Sequence, residues 1–247
     1  MTGQELVNYL RENVIGDVAI PFLWPDTELL RYLNYGEVQA CRRASLIIDS
    51  STSNDSGTAA SASTMGQKPL CSFTTVANQA TYNLSPKILQ IKRCQLKSMT
   101  YPLIGPITYA EVDDFISGWW GTAGTVATAG SGGVPYYFLN EPGNTVTFIP
   151  APSEAVTIYL VVSRIPLISF TLSTSPEIDE KYHVGLCDWA AHLAYLKRDP
   201  ETLDLNMAKV YEDKFVSQFG LLPDAYSERM RKTLNMKQRM RSRPFGS

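Results

Sequence analysis

Histidine is almost missing from this 247-residue chain, and that scarcity removes several chemistries at once. The only two, His183 and His192, sit nine positions apart in one predicted helix over 176–197. At about 100° per residue they face opposite sides of it, cannot share a ligand, and read as helix-surface or interface residues. No His-Glu-x-x-His occurs and no cysteine pair stands near, which removes the usual zinc arrangements. The four cysteines, Cys41, Cys71, Cys94 and Cys187, are scattered at no metal spacing and read as reduced, mostly buried thiols made in a cytoplasm. Walker, Gly-x-Ser-x-Gly and Gly-x-Gly-x-x-Gly patterns are lacking, and Gly130-Ser-Gly-Gly133 precedes no helix. Asp113 and Asp114 are adjacent, so on a helix they diverge and read as a solvated face. No catalytic residue, metal ligand or cofactor is therefore assigned, and the chain reads as a non-enzyme. No run approaches ~18 apolar residues, so no membrane span is expected. The opening Met-Thr-Gly-Gln-Glu lacks the apolar core of a signal peptide.

What the chain does have is a basic end on an acidic body. Residues 225–247 hold seven bases against Glu228 alone, +6, while the rest carries 15 bases and 23 acids, −8. Such asymmetry reads as an arm that grips something outside its own domain. Arg229, Arg231, Lys232, Arg239, Arg241 and Arg243 would pair with carboxylates, and Met230, Leu234, Met236 and Met240 would fill apolar grooves. Arg and Met are enriched at protein interfaces, which favours a protein partner. Phosphate contacts along DNA are the second reading, weakened by the shortage of aromatics for base stacking. A solubilising tail is the third. The arm's own apolar content is thin, so 225–247 is expected to stay unordered until bound.

Periodicity divides the chain into helices, strands and helices again. Helices are expected at 3–14 and 26–44, the second with Asp26 as cap and Leu29, Leu30, Leu33, Ala40, Cys41 and Ala44 on one face. Residues 50–64 are nearly all Ser, Thr, Ala, Gly and Asn and read as a mobile loop, as does 121–133. Strand patterns fill 70–172, clearest at 88–96 and 157–163, with a hairpin of 136–140 and 145–149 around Glu141-Pro-Gly-Asn144. Thr108-Tyr-Ala-Glu111 is a capping box opening a short helix with Val112, Phe115, Ile116 and Trp119 on one side. Of Trp119 and Trp120, one covers the sheet edge and the other must point elsewhere, so the pair is a candidate subunit contact. Helices return at 176–197, started by Ser175-Pro176, and at 200–219, started by Asp199-Pro200 and ended by Gly220. The expected fold class is α+β. A discontinuous helical bundle (1–49 and 175–220) carries a flexible loop (50–65), an inserted antiparallel β-sandwich or barrel (66–174) and a basic arm (221–247).

Phe22-Leu-Trp-Pro-Asp26, Glu28-Leu-Leu-Arg-Tyr-Leu-Asn34, and then Glu37, Ala40, Cys41, Arg42 and Arg43 together resemble the opening of tailed-phage head-to-tail adaptor proteins. These are the portal-adaptor and tail tubular protein A-like family. Tyr82-x-Leu84, Ile88-Leu-x-Ile91, Pro102-Leu103, the helix at 109–113 with Trp119, Pro135-Tyr-Tyr137, Ile149-Pro-Ala-Pro152, Arg164-x-Pro166 and Asp199-Pro-Glu-Thr202 follow in that family's order. The resemblance implies a structural virion protein at the head–tail junction, synthesised in the host cytoplasm. It implies a ring, dodecameric in such proteins, through which DNA passes as non-specific cargo. Its partners would be the portal, reached by the C-terminal arm, and a downstream tail protein. A nucleic-acid-binding module using the basic tail and a carbohydrate-binding β-sandwich are the alternatives.

Overall fold

The computed structural model describes residues 1–55, 68–115, 119, 135–141, 144–198 and 201–233. Helix α1 (Gly3–Tyr9) opens with a reciprocal capping box between Thr2 and Glu5. It runs on as a π-helical turn, Leu10–Ile15, and stops at Gly16, whose φ of 69° suits glycine. Helix α2 (Asp26–Ala44) has the expected bounds, but Asp26 does not cap it. Pro25 holds the cap position, and the Asp26 carboxylate accepts from Arg11 Nη2 at 2.7 Å instead. Leu29, Leu33, Ala40 and Cys41 are fully buried, whereas Ala44 is exposed, so the apolar face ends one turn early.

The return to helix begins later than Ser175-Pro176 indicated. A 3-10 turn, Glu180–Tyr182, leads into α4 (His183–Tyr195). The preceding backbone is taken by tertiary partners: Glu37 Oε1 accepts from Glu177 N at 2.6 Å and from Ile178 N at 3.2 Å. Helix α5 (Leu205–Phe219) also starts late, because Asp204 Oδ1 accepts from Asn206 N and Met207 N and so satisfies the first-turn donors. Asp199 and Pro200 lie outside the described residues. Of the two histidines, expected at a helix surface or an interface, one is buried and the other lies between two helices. His183 is buried, its Nε2 2.9 Å from Ile178 O and its Nδ1 3.2 Å from the N-terminal amine. His192 Nδ1 lies 2.8 Å from Ala208 O and links α4 to α5.

Both ends of the chain supply one apolar core. Leu6 and Leu10, Trp24, Leu29 and Leu33 meet Leu186, Trp189, Phe215 and Phe219 there. Leu33 is fully buried and Trp189 nearly so, as the one-sided apolar stripes required.

The β region forms two antiparallel sheets. Strand β7 (Thr157–Arg164) is the hub of the first. It pairs along one edge with β4 (Ile88–Leu96), through two register shifts, and along the other with β1 (Ile47–Asp49) and β2 (Ser72–Thr74), placed end to end. The second sheet has the order β3-β6-β5, from Thr81–Asn83, Thr145–Ile149 and Tyr137–Glu141. The expected hairpin is therefore present, its turn at 142–143 lying outside the described residues. Phe138 and Phe148 of the second sheet share a core with Ile91, Leu96, Ile158 and Leu160 of the first. Among the described residues neither sheet closes on itself, so the barrel, one of the two expected forms, is not what they form. The fold is thus α+β, with six α-helices among the described residues. Helix α3 (Tyr109–Phe115) carries the expected capping box, Thr108 N donating to Glu111 Oε2 at 2.7 Å and Glu111 N to Thr108 Oγ1 at 3.3 Å.

Candidate partner-binding surfaces

The first nine residues of the basic arm fold back on the body. Helix α6 (Ala225–Thr233) starts where Asp224 Oδ1 accepts from Ser227 N at 2.6 Å. Glu228 then pairs with Arg42 at 2.8 Å, and Lys232 Nζ donates to Asn144 Oδ1 at 2.7 Å. The arm's lone acid is thus its anchor to α2, and Lys232 is committed to the chain itself. Partial burial lowers the Lys232 ammonium's pKa, and Glu228 opposes that shift. Expected disorder over 225–247 is corrected for 225–233: apolar content was the wrong criterion, because an ion pair and a hydrogen bond supply what the residues lack. Beside α6 lies a groove of about 220 Å³ whose lining includes Arg42, Ser45, Gln90, Glu228, Arg231 and Lys232. Arg229 and Arg231 are exposed and Met230 half-buried on this helix. Leu234, Met236, Arg239, Met240, Arg241 and Arg243 lie outside the described residues, as do 121–133 and residues 56–64 of the loop expected at 50–64, whose first part is described and bridges Pro69 through Asn54.

A second surface lies at the other end of α2. The loop before that helix exposes Val18 by 64%, Ile20 by 86%, and Phe22 and Leu23 by nearly half. Leu203 and Leu205 stand exposed nearby, at the start of α5. This loop is held from beneath by Arg11, whose guanidinium is buried, pairs with Asp17 and Asp26, donates to Trp24 O and lies over the Phe22 ring at 4.0 Å. Asp17 in turn accepts from Leu23 N at 3.0 Å and Trp24 N at 3.3 Å. A groove of about 540 Å³ opens there, and its lining includes Asp17, Pro21, Trp24, Tyr195, Glu201 and Asp204. The sequence carried a signal for this surface: Val18-Ala-Ile-Pro-Phe-Leu23 is apolar yet fits neither helical nor strand periodicity.

Between the two cores lies a buried polar junction that no spacing announced. Arg164, at the end of β7, donates from Nε to Asp49 Oδ2 at 2.8 Å and from Nη2 to Glu177 Oε1 at 2.6 Å. Glu177 Oε2 accepts from Leu167 N, and Glu37 holds the backbone of 177–178. Burial would raise the Asp49 carboxyl, but hydrogen bonds from Ser51, Thr52 and Arg164 hold it well below the usual carboxylate range. Glu37 goes the other way. Burial pushes it up to about 7 despite the two backbone donors.

Trp119 is buried against Ile107, Val112, Leu139 and Ile149, stacks on Tyr109 with ring centroids 5.9 Å apart, and donates from Nε1 to Asp113 Oδ1 at 2.6 Å. Asp113 is therefore a partner of this indole rather than a mere solvated face. Trp120 and Ile116 lie outside the described residues. All four cysteines are free and buried. Burial raises each thiol well above its usual range, Cys71 and Cys187 to about 12, so they behave as small hydrophobes. Among the described residues no three His, Cys, Asp or Glu side chains are grouped to hold a metal, and no helix is long and apolar enough to cross a membrane.

The model of the SU10 adaptor protein family matches residues 1–241, from the capped α1 through the basic arm. The chain belongs to the SU10 adaptor family. This is a phage head-to-tail adaptor family, so the protein is a structural component of the virion that associates with other head and tail proteins. No curated protein matches the chain significantly. For an SU10 adaptor, the two exposed surfaces at the ends of α2 are the features that need an account.

Proposed function

We propose that this protein is the connector of a tailed phage, a ring seated between portal and tail through which DNA passes. The family match over residues 1–241 carries the reading, because it spans both helical ends, the β region and most of the basic arm. In this reading the helices of 1–49 and 175–220 form a bundle, and 66–174 is a sandwich inserted into it. The ring is a dodecamer, closed by one heterologous contact repeated around the axis. Its partners are the portal above and a tail protein below.

The portal-binding part of the arm is narrower than its charge distribution indicates. Lys232 and Glu228 are engaged with the protein's own Asn144 and Arg42, so portal contact falls mainly to 234–247, assisted by the exposed Arg231. Leu234, Met236 and Met240 supply apolar anchors and Arg239, Arg241 and Arg243 the charge. One exposed ion pair contributes only ~0–1 kcal/mol, but repetition around a ring multiplies it. Trp120 remains the candidate for a subunit contact, Trp119 being occupied by its own chain.

Particle imaging of the purified protein tests the ring, and co-sedimentation with portal tests the arm. The expected results are a closed ring with a central channel, and portal attachment lost when 234–247 is removed from an otherwise folded protein. Undiminished attachment by the truncated protein would refute the arm's role. Salt-sensitive DNA binding lost with the same truncation would move the arm's partner from portal to nucleic acid.

A further inference from the structure

We infer that the outer face of the first sheet is a contact for duplex DNA, gripping its phosphates with Lys92, Arg93 and Lys97. The inference rests on the connector reading only for the source of the DNA, the duplex that passes through the ring. Its first support is the register of β4 against β7. Ile91, Cys94 and Leu96 oppose Val162, Leu160 and Ile158, and all six are buried in the core between the sheets. Arg93 opposes Val161 and Gln95 opposes Tyr159, so these side chains point to the other face. Lys97 continues that row, its N–H donating to Thr157 O at 2.9 Å.

Neighbours on a regular strand face opposite sides, so Lys92 next to Arg93 would carry one charge into the core. The register shift between Ile91 and Arg93 makes Lys92 an extra residue, and both cations stand exposed together with Lys97. Bulges re-aim side chains in this way and gather beside sites. Guarding a strand edge would use one bulged lysine, and it leaves the outward Arg93 and Lys97 unaccounted for.

Charge and chemistry choose the occupant. Lys92 Nζ donates to Gln90 Oε1 at 2.6 Å and Arg93 Nη2 to Gln95 Oε1 at 2.8 Å. A neutral amide takes one hydrogen bond from each and cancels no charge, which leaves most of their N–H donors free. Among the described residues none of the three cations is in an ion pair. The outward positions around them hold Ser72, Thr74, Gln95, Thr157 and Tyr159, and no carboxylate. Hydroxyl, amide and phenol groups beside Arg and Lys are the set that holds phosphate oxygens. An acidic protein fits less well, because a protein interface has an apolar centre and here only Val161 and Tyr159 interrupt the polar groups. From Arg93 to Lys97 the strand runs about 14 Å, at ~3.4 Å per residue. Over that length each strand of a duplex carries about four phosphates, so the cations meet a row of charges at once.

Fluorescence anisotropy of a labelled random-sequence duplex, titrated with the full chain between about 50 and 200 mM salt, tests the contact. Lys92→Gln, Arg93→Gln and Lys97→Gln together should weaken binding at least about tenfold and lower the slope of log affinity against log salt by about 3. If circular dichroism shows that the bulge needs its lysine, Arg93→Gln with Lys97→Gln replaces the triple and should lower the slope by about 2. Arg31→Gln, Lys209→Gln and Lys214→Gln, at three exposed helical positions, change the net charge equally and should leave binding within about twofold. The loss should persist in a background of Arg239→Gln, Arg241→Gln and Arg243→Gln, which separates the face from the arm. No loss in the face variant, an equal loss in the helical control, or a loss that vanishes in the arm background each overturns the contact. So does a face variant that keeps duplex binding but no longer co-sediments with portal, since the face is then a protein contact. Particle imaging of the same samples reads the ring separately. Rings from a wild type that binds no duplex overturn the face and leave the connector, whereas duplex binding without rings supports the face and overturns the connector.

Discussion

Removing the Arg164 guanidinium should destabilise the protein far more than removing any surface cation. Arg164 is 5% exposed and bridges Asp49, whose side chain is 6% exposed, to Glu177, at 34%. Arg164→Ala leaves the Asp49 carboxylate almost dry without its counter-charge, and breaking such a buried pair costs about 3–5 kcal/mol. Asp49 keeps donors at Ser51 N and Thr52 N, which places the loss near the lower figure, about 3 kcal/mol. In a chain of this size that is a fall of about 6–12 °C in melting temperature. Denaturant titration and thermal melting at pH 7, below any assembly concentration, measure it. Arg31→Ala is the control, because Arg31 is largely exposed and 3.9 Å from Glu28.

The pH dependence fixes the cause. Asp49 has its pKa depressed in the folded state, so its stabilisation is present above the unfolded value of about 4 and fades as pH falls. The gap between wild type and Arg164→Ala should therefore narrow in acid. Asp49→Asn in the Arg164→Ala background should recover part of the loss. If Arg164→Ala melted within a degree or two of Arg31→Ala, the junction would not be holding the two regions together as argued.

Glu37 should produce the opposite limb. Its folded pKa of about 7 exceeds the unfolded value, so its contribution is full below about pH 4.3 and is lost as pH rises through 7. Glu37→Gln should flatten melting temperature against pH across that window, and an unchanged slope would count against it. Gly3→Ala should cost about 1–3 kcal/mol by denaturant titration, since the added methyl would run into the Thr171 carbonyl where Gly3 N donates to Thr174 O at 2.9 Å. Arg42→Ala should change stability by only about 0–1 kcal/mol, the Arg42–Glu228 pair being a third exposed. It should nonetheless speed amide exchange in α6 while leaving α2 protected, and equal protection would show that α6 is held by other contacts.

The elements themselves were legible wherever a local pattern fixes them. Helix α2 kept its bounds because its apolar spacing and the blocking Pro25 act within a few residues. The α3 capping box closed as read, β4 and β6 followed from alternation, and the β5–β6 hairpin from the turn residues between its strands. Burial of the four cysteines was also readable, since a scattered thiol has neither a metal nor a disulfide to serve. Local signals failed where a distant group won. Ser175-Pro176 is a good helix start in isolation, yet Glu37, 140 positions away in sequence, takes the Glu177 N–H that a helix start would use. The basic arm looked too polar to fold, and its first nine residues did so because Arg42 and Asn144 wait on the body.

Motif order, a one-dimensional signal, was enough to place the protein in its class. Tertiary structure decided everything that depends on two distant segments meeting. It set which of the arm's charges are already spent, brought Asp49, Arg164, Glu177 and Glu37 into one junction, and stood an acid-lined apolar surface and a basic one at opposite ends of α2. A carboxylate's partner, unlike a helix's periodicity, is chosen by proximity in space, and sequence separation carries no trace of it.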